Sequence, residues 1–194
     1  MGLEIGKHNR SLREELQQII TKYTGDSAED HVGLQVRLVA SLAEKYKHSI
    51  SLVEQGIPGT PEIYTVCYRH SFGLAKVGLV DRLLKCYNVE TGREFAGFII
   101  GRLHEIPPDD THDGDHIIYS TADQIEHAGN VEGGLIESKW GKAHRWRHGV
   151  YEVPLSYGDI VRFYRHLPHE DAVSGFLDYA RTKGINPKIA LARS

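Results

Sequence analysis

The sequence is poor in cysteine, in long apolar runs and in clustered basic residues, and each shortage argues against a class of protein. Among 194 residues there are two cysteines, Cys67 and Cys86, and two thiols cannot form a thiolate zinc site by themselves. No apolar run is long enough to predict a membrane-spanning helix. The formal net charge is -3 and no basic cluster stands out, so neither a nucleic-acid partner nor a membrane partner is predicted.

The first sixteen residues contain no apolar segment typical of a secretory signal. Because disulfides are rare in reducing compartments, we expect both cysteines to be free thiols. These features predict a cytoplasmic protein, or an effector delivered into a cell without an ordinary signal. The length and the average charged fraction of 25% fit one globular domain.

The first third of the chain predicts helices. Apolar residues recur at helical spacing over residues 11–23, and a second amphipathic helix is predicted over 27–55. A connector rich in glycine and proline, residues 56–61, ends the second helix. We therefore divide one compact domain into an amino-terminal helical extension, residues 1–60, and a main region, residues 61–194.

The main region begins with a predicted helix from residue 61 that carries Cys67, and from residue 112 the pattern changes to strands. Strands are predicted at 116–119, 125–131, 135–139, 149–153 and 159–164, and a terminal helix at 169–183. The segment 144–148 is interpreted as a loop or edge strand that packs through Trp146. Gly133-Gly134 marks a hairpin turn. Helices followed by a run of antiparallel strands predict an α+β fold.

Cys67 is the first candidate for chemistry. It is predicted near the start of a helix, where unpaired backbone N–H groups and the helix dipole favour a thiolate. The thiolate is the nucleophilic form of cysteine, and the same N–H groups could bind a developing oxyanion. Cys86 follows the apolar pair Leu83-Leu84 and is interpreted as a core residue. The sequence thus predicts Cys67 as the more reactive thiol.

His127 is the candidate base for Cys67. A thiol nucleophile needs a base that is close in space rather than in sequence. His127 lies in the middle of a predicted strand, and the small residues Ala128 and Gly129 leave room beside its ring. The functional prediction depends on this pattern, a helix led by cysteine and a later strand that carries histidine.

Several short motifs occur in the order found in one family. They are TVCYRHSFGL around Cys67, DGDHIIY at 113–119, IEHAGNV at 125–131, ESKWG at 137–141, His148, EVPLSYGD at 152–159 and VRFYR at 161–165. With these motifs the chain resembles the papain-like NlpC/P60 superfamily of cysteine hydrolases, most of all its small bacterial branches. The resemblance implies a papain-like α+β fold, with an antiparallel sheet on which the amino-terminal helical region packs.

The resemblance also implies roles for single residues. Cys67 would be the nucleophile and His127 the base, and a polar residue on the next strand would orient the imidazole. Ser138 matches the family pattern, whereas Glu137 would orient an imidazolium better, and Lys139 shares the face of Glu137. The predicted function is a cysteine-dependent hydrolase, deamidase or transferase that acts on a peptide, amide or acyl substrate. A thiol mechanism requires no metal or other cofactor, and none is expected.

Two other interpretations remain. His104, His112 and His116 lie among aspartates, and these side chains are typical ligands of zinc and other divalent ions, so a metal-dependent hydrolase is one alternative. The other is a non-catalytic binding or immunity-type module on the same fold, because a fold by itself does not confer activity.

Overall fold

The computed structural model describes residues 3–4, 9–23, 29–56, 66–140 and 144–187. Its helices are α1 (Arg10–Tyr23), α2 (Glu29–Ser41), α3 (Cys67–Ser71), α4 (Gly78–Tyr87), α5 (Arg93–Ile100) and α6 (His169–Thr182). Short 3-10 helices lie at Leu42–Glu44, Pro108–Asp110 and Leu155–Tyr157. No helix within the described ranges is long and apolar enough to cross a lipid bilayer.

The strands form one antiparallel sheet. They are β1 (Leu3–Glu4), β2 (Ser51–Glu54), β3 (Glu105–Ile106), β4 (His116–Ser120), β5 (Ile125–Glu132), β6 (Leu135–Trp140), β7 (His144–His148) and β8 (Ile160–Tyr164). The strand order is β1-β8-β4-β5-β6-β7-β2, and β3 also pairs with β8. The fold is therefore α+β, which confirms the predicted class.

The centre of the sheet is the meander of β4, β5 and β6. Ile117 and Ile118 of β4 are buried on opposite faces, which suits β-branched apolar residues. The β5–β6 turn consists of Gly133 and Gly134, with positive φ of 59° and 76°. Two successive positive φ angles are what a tight two-residue hairpin requires. The register of this hairpin places Gly129 opposite Ser138.

Each face of the sheet has its own apolar core. On one face, Ile118 and Ala128 pack with side chains of α3, α4, α5 and α6. On the other face, Tyr119 packs in a core that includes Leu12 and Leu16 of α1. The buried stripe of α1 thus joins this amino-terminal helix to the same core as the sheet.

Two predicted elements are wrong, and both errors concern the strand β7. The helix predicted over 27–55 is shorter, because α2 ends at Ser41 and β2 occupies Ser51–Glu54, where it pairs with β7. The segment predicted as a strand over 149–153 forms turns, and β7 precedes it. Pairing with the distant strand β7 decided the segment that became β2. The predicted helix residues 27–28 and 61–65 lie outside the described part of the chain.

The prediction that Cys86 is a core residue is also wrong. Helix α4 buries Val80 and Leu83, whereas Lys85 and Cys86 in its last turn are exposed. The apolar neighbours of Cys86 in sequence therefore did not indicate its direction. The segments 81–87 and 93–100, which have no clear period in sequence, lie in α4 and α5.

Candidate active site

Cys67 is the first residue of α3. Val66 before it is extended, with φ -74° and ψ 160°. The first hydrogen bond of the helix runs from the His70 N–H to the Val66 carbonyl at 3.1 Å. The backbone N–H groups at the start of α3 therefore lack partners within the helix, and the partly exposed Cys67 side chain lies beside them.

Cys67 and His127 line the same surface cavity. The cavity has a volume of about 360 Å³ and is lined by Val66, Cys67, Tyr68, Gly92, Arg93, Glu126, His127, Lys139 and Tyr157. These residues come from α3, α5, β5, β6 and the segment before β8. Tertiary packing thus places the two side chains that sequence reasoning selected in the lining of one cavity.

A β-bulge in β5 sets the direction of His127. Strand β4 pairs Tyr119 with His127 and then Ser120 with Ile125, so Glu126 is an extra residue in β5. Bulges redirect side chains and are over-represented beside active sites. His127 shares the face of Tyr119, with ring centroids 5.8 Å apart.

Cys67 and His127 approach the cavity from opposite faces of the sheet. Helix α3 covers the face that carries Ala128, whereas Tyr119 and therefore His127 lie on the other face. The pairing of β5 with β6 runs only as far as Gly129 opposite Ser138. Within the described residues, the earlier part of β5 pairs with β4 alone. The sheet is therefore open at the point where both side chains reach the cavity.

Burial keeps Cys67 as a neutral thiol. Removal of water from the sulfur raises its pKa to about 11. The nearby backbone N–H groups of Ala128, Tyr68 and Cys67 itself, together with the charge of Arg93, lower this pKa, but less than burial raises it. The donors that would stabilise a negative charge are thus present around the sulfur.

His127 is a neutral imidazole. Its side chain is 1% exposed, and burial, together with the neighbouring His148 and His70, lowers its pKa well below the usual range. Tyr157 lies flat on the ring, with centroids 3.8 Å apart and planes 13° from parallel. The described residues provide no hydrogen-bond partner for the buried Nε2. A buried nitrogen without a partner costs free energy and requires an explanation.

Ser138 belongs to a buried network that does not include His127. Ser138 Oγ donates to His148 Nε2 at 2.8 Å and accepts from Trp140 Nε1 at 3.0 Å. The other nitrogen of His148, Nδ1, donates to the carbonyl of the next residue at 2.8 Å. Ser138 lies two residues before Trp140, the β6 position that would face His127 if the pairing continued, and its hydroxyl is used within this network.

Glu137 binds arginines of the neighbouring strand. Its carboxylate lies 3.2 Å from Arg145 Nη1 and 3.4 Å from Arg147 Nη2. Strand alternation places it on the face opposite Ser138 and His127. Among the described residues, neither Ser138 nor Glu137 makes a direct hydrogen bond to His127, and the Tyr157 ring is the close neighbour of the imidazole.

Sequence reasoning missed several residues of the cavity. Arg93 at the start of α5 donates from Nε to the Ile125 carbonyl at 3.1 Å and forms an ion pair with Glu126. Tyr68 donates to the same carbonyl at 3.1 Å. Lys139, which the sequence had already indicated as a candidate on this strand, is a second, largely buried cation in the lining. No local pattern marks these residues, because only the fold brings their elements together.

The histidines of the alternative metal site are not gathered into one ligand set. Among the described residues, no three His, Cys, Asp or Glu side chains are grouped so that they could hold a metal ion. His116 is buried and accepts the Leu167 N–H through Nε2 at 3.1 Å. Nδ1 of His112 lies 2.8 Å from Arg165 Nη1. These contacts hold two of the three histidines in separate environments.

Comparison of the chain with protein-family models, with curated proteins and with solved structures found no match. The site is therefore interpreted from its own residues and geometry.

Proposed function

We propose that the protein is a papain-like, cysteine-dependent amide or acyl hydrolase or transferase, with Cys67 as nucleophile and His127 as general base. The observation that carries this proposal is the shared cavity, which has the thiol of α3 and the imidazole of β5 in its lining. This chemistry requires a thiol and a neutral base at one site, and the cavity has both in its lining. The motif resemblance to the NlpC/P60 superfamily supports the same assignment.

The reaction begins from a neutral pair. Because burial keeps Cys67 protonated and His127 unprotonated, His127 accepts the thiol proton as the sulfur forms its bond to the carbonyl carbon. The proton then passes to the leaving amine or alcohol as the C–N or C–O bond breaks. Attack of water or of an acceptor amine on the resulting thioester releases the acyl product and restores the thiol.

Backbone donors serve the oxyanion in this proposal. The N–H groups of Cys67 and Ala128 lower the pKa of the thiol, so they lie close to the sulfur and to the carbonyl that it attacks. Preorganised N–H groups directed at the developing charge stabilise the transition state. Arg93 adds positive charge at the same side of the cavity.

The proposal is tested by acyl transfer from 4-nitrophenyl acetate to the full chain. We expect an acetylated Cys67 in peptide mass spectra after rapid acid quench. Replacement of the base in His127→Gln should slow acetylation roughly 10²–10⁴-fold, the usual range for loss of a general base. Cys86→Ser is the matched control, because it removes the exposed thiol and leaves the cavity intact.

Two outcomes contradict the proposal. One is acetylation confined to Cys86 or to surface lysines, at a rate that Cys67→Ala leaves unchanged. The other is an inert Cys67 in a folded protein, which would favour the non-catalytic binding module. Circular dichroism of each variant establishes that it is folded.

A further inference from the structure

The loop of residues 153–159, called the 153–159 loop below, places the Tyr157 ring on the His127 ring. Its 3-10 helix ends at Tyr157, whose ring stacks on the imidazole at 3.8 Å. Gly158 follows with a positive φ of 95°, and a Cβ there would overlap the Ser120 carbonyl. Glycine is therefore required at this position, and the backbone path of the loop decides where the Tyr157 ring lies.

Arg13 of α1 holds the carbonyls of this loop. Its side chain is 3% exposed. Nε donates to the Val153 carbonyl at 3.2 Å, and Nη2 donates to the carbonyls of Leu155 at 3.4 Å and Gly158 at 2.7 Å. Nη1 donates to Asp159 at 2.6 Å. The planar guanidinium thus binds the chain on both sides of Tyr157, which a lysine ammonium could not do from a single point.

A second residue of the same helix also contacts the loop. Gln17 lies one turn after Arg13, and its Oε1 accepts the Ser156 N–H at 2.9 Å. We refer to Arg13 and Gln17, with their contacts to the 153–159 loop, as the α1 clamp. Leu12 and Leu16 of the same helix are buried in the core of the sheet. The clamp is therefore anchored on the sheet that carries His127.

We propose that Arg13 is a positioning residue for His127, because the α1 clamp fixes the 153–159 loop so that Tyr157 holds the imidazole in one orientation at the Cys67 cavity. Neither Ser138 nor Glu137 orients the ring, so the stack with Tyr157 takes that role. The catalytic importance of this orientation rests on the proposed function, in which His127 is the base. It makes the amino-terminal helix a part of the site.

The stack is measured directly by NMR of the His127 ring in the full chain. The Tyr157 ring shifts the His127 Hε1 resonance upfield, and Tyr157→Leu should abolish this shift whereas Tyr157→Phe should keep it.

Arg13→Lys and the double variant Gln17→Ala with Asp159→Asn should reduce this upfield shift. In these clamp variants the pKa of His127 should rise toward the usual imidazole value, because the ring gains contact with water. Arg10→Lys, on an exposed part of α1, is the matched control and should change neither quantity.

Acetylation of Cys67 supplies the functional measurement. The clamp variants should acetylate roughly tenfold to a hundredfold more slowly at saturating 4-nitrophenyl acetate, with KM nearly unchanged, as expected for a displaced catalytic group. If Arg13→Lys does not fold, the double variant carries the test, because Asp159 is exposed and Gln17 is partly exposed.

The outcomes separate the two proposals. Folded clamp variants with an unchanged His127 resonance and pKa would overturn the positioning role, whatever their activity. A His127 resonance that responds to the clamp in a protein whose Cys67 is never acetylated would support the positioning role and reject the proposed function.

Discussion

At the scale of single residues, the pKa of Cys67 is raised and the pKa of His127 is lowered, so both groups are held in their neutral forms. Burial is the first cause for each group. A neutral pair transfers its proton during attack, whereas a preformed ion pair would require burial to be outweighed by charges and donors at the sulfur. In this site the backbone donors near Cys67 offset only part of the effect of burial.

This balance changes the thiol reactivity expected from the sequence. With a pKa of about 11, roughly one Cys67 in ten thousand is thiolate at pH 7, while Cys86 is exposed. We therefore expect iodoacetamide at pH 7 to alkylate Cys86 faster than Cys67, as measured by peptide mass spectrometry. The Cys67 rate should rise as the pH approaches 11. Faster labelling of Cys67 at pH 7 would instead indicate a preformed thiolate–imidazolium pair.

At the scale of elements, the site depends on the place where β5 and β6 part. Gly129 and Ser138 form the last pair of the described register. A Cβ on Gly129 would lie 2.9 Å from the Glu137 carbonyl, from Ile136 Cγ2 and from Ser138 Cβ. The close approach of the two strands thus requires a residue without a side chain next to the cavity that His127 lines.

We expect Gly129→Ala to destabilise the fold by about 1–3 kcal/mol, because the strands must separate to accept the methyl group. Urea unfolding measures this difference in free energy. Gly78→Ala is the matched control, since a Cβ at the start of α4 would meet no atom within 4 Å, and its stability should be equal or slightly higher. Equal stabilities of the two variants would contradict the tight packing of β5 on β6.

At the scale of the whole molecule, buried histidines make the fold sensitive to acid. Burial lowers the pKa of His70, His116 and His148 to about 4, and it lowers the pKa of His127 well below its usual value. The unfolded chain takes up protons near the usual value of 6.5, whereas the folded chain does not. The stability that these groups contribute is therefore complete above pH 6.5 and is lost as the pH falls through 6.5 toward 4.

We expect the free energy of unfolding to fall steeply between pH 6.5 and 4, by about 1.4 kcal/mol per pH unit for each histidine that protonates only on unfolding. Urea unfolding at a series of pH values measures the slope. His116→Gln should reduce the slope by the contribution of one histidine, about 1.4 kcal/mol per pH unit. His104→Gln, at an exposed position, should leave the slope unchanged. A free energy that stays constant from pH 7 to pH 5 would show that these histidines are not held neutral.

The sequence by itself predicted the elements whose signals are local. The periodic apolar residues of α1, the strand-forming residues of β4 and β5, and the glycine pair of the β5–β6 turn all indicated the structure that forms. The α+β class followed from their order. These features depend on neighbours within a few residues. The residues of each segment therefore determine its backbone preference and the face that it buries.

Only the tertiary structure decided which groups meet at the cavity. The bulge at Glu126, the end of the β5–β6 pairing and the network around Ser138 place His127 against Tyr157 instead of a polar residue of β6. The same holds for Arg13, whose side chain acts on a loop 140 or more positions away in the chain. Pairing register and long-range contacts gain their free energy from partners distant in sequence, so no local pattern contains them.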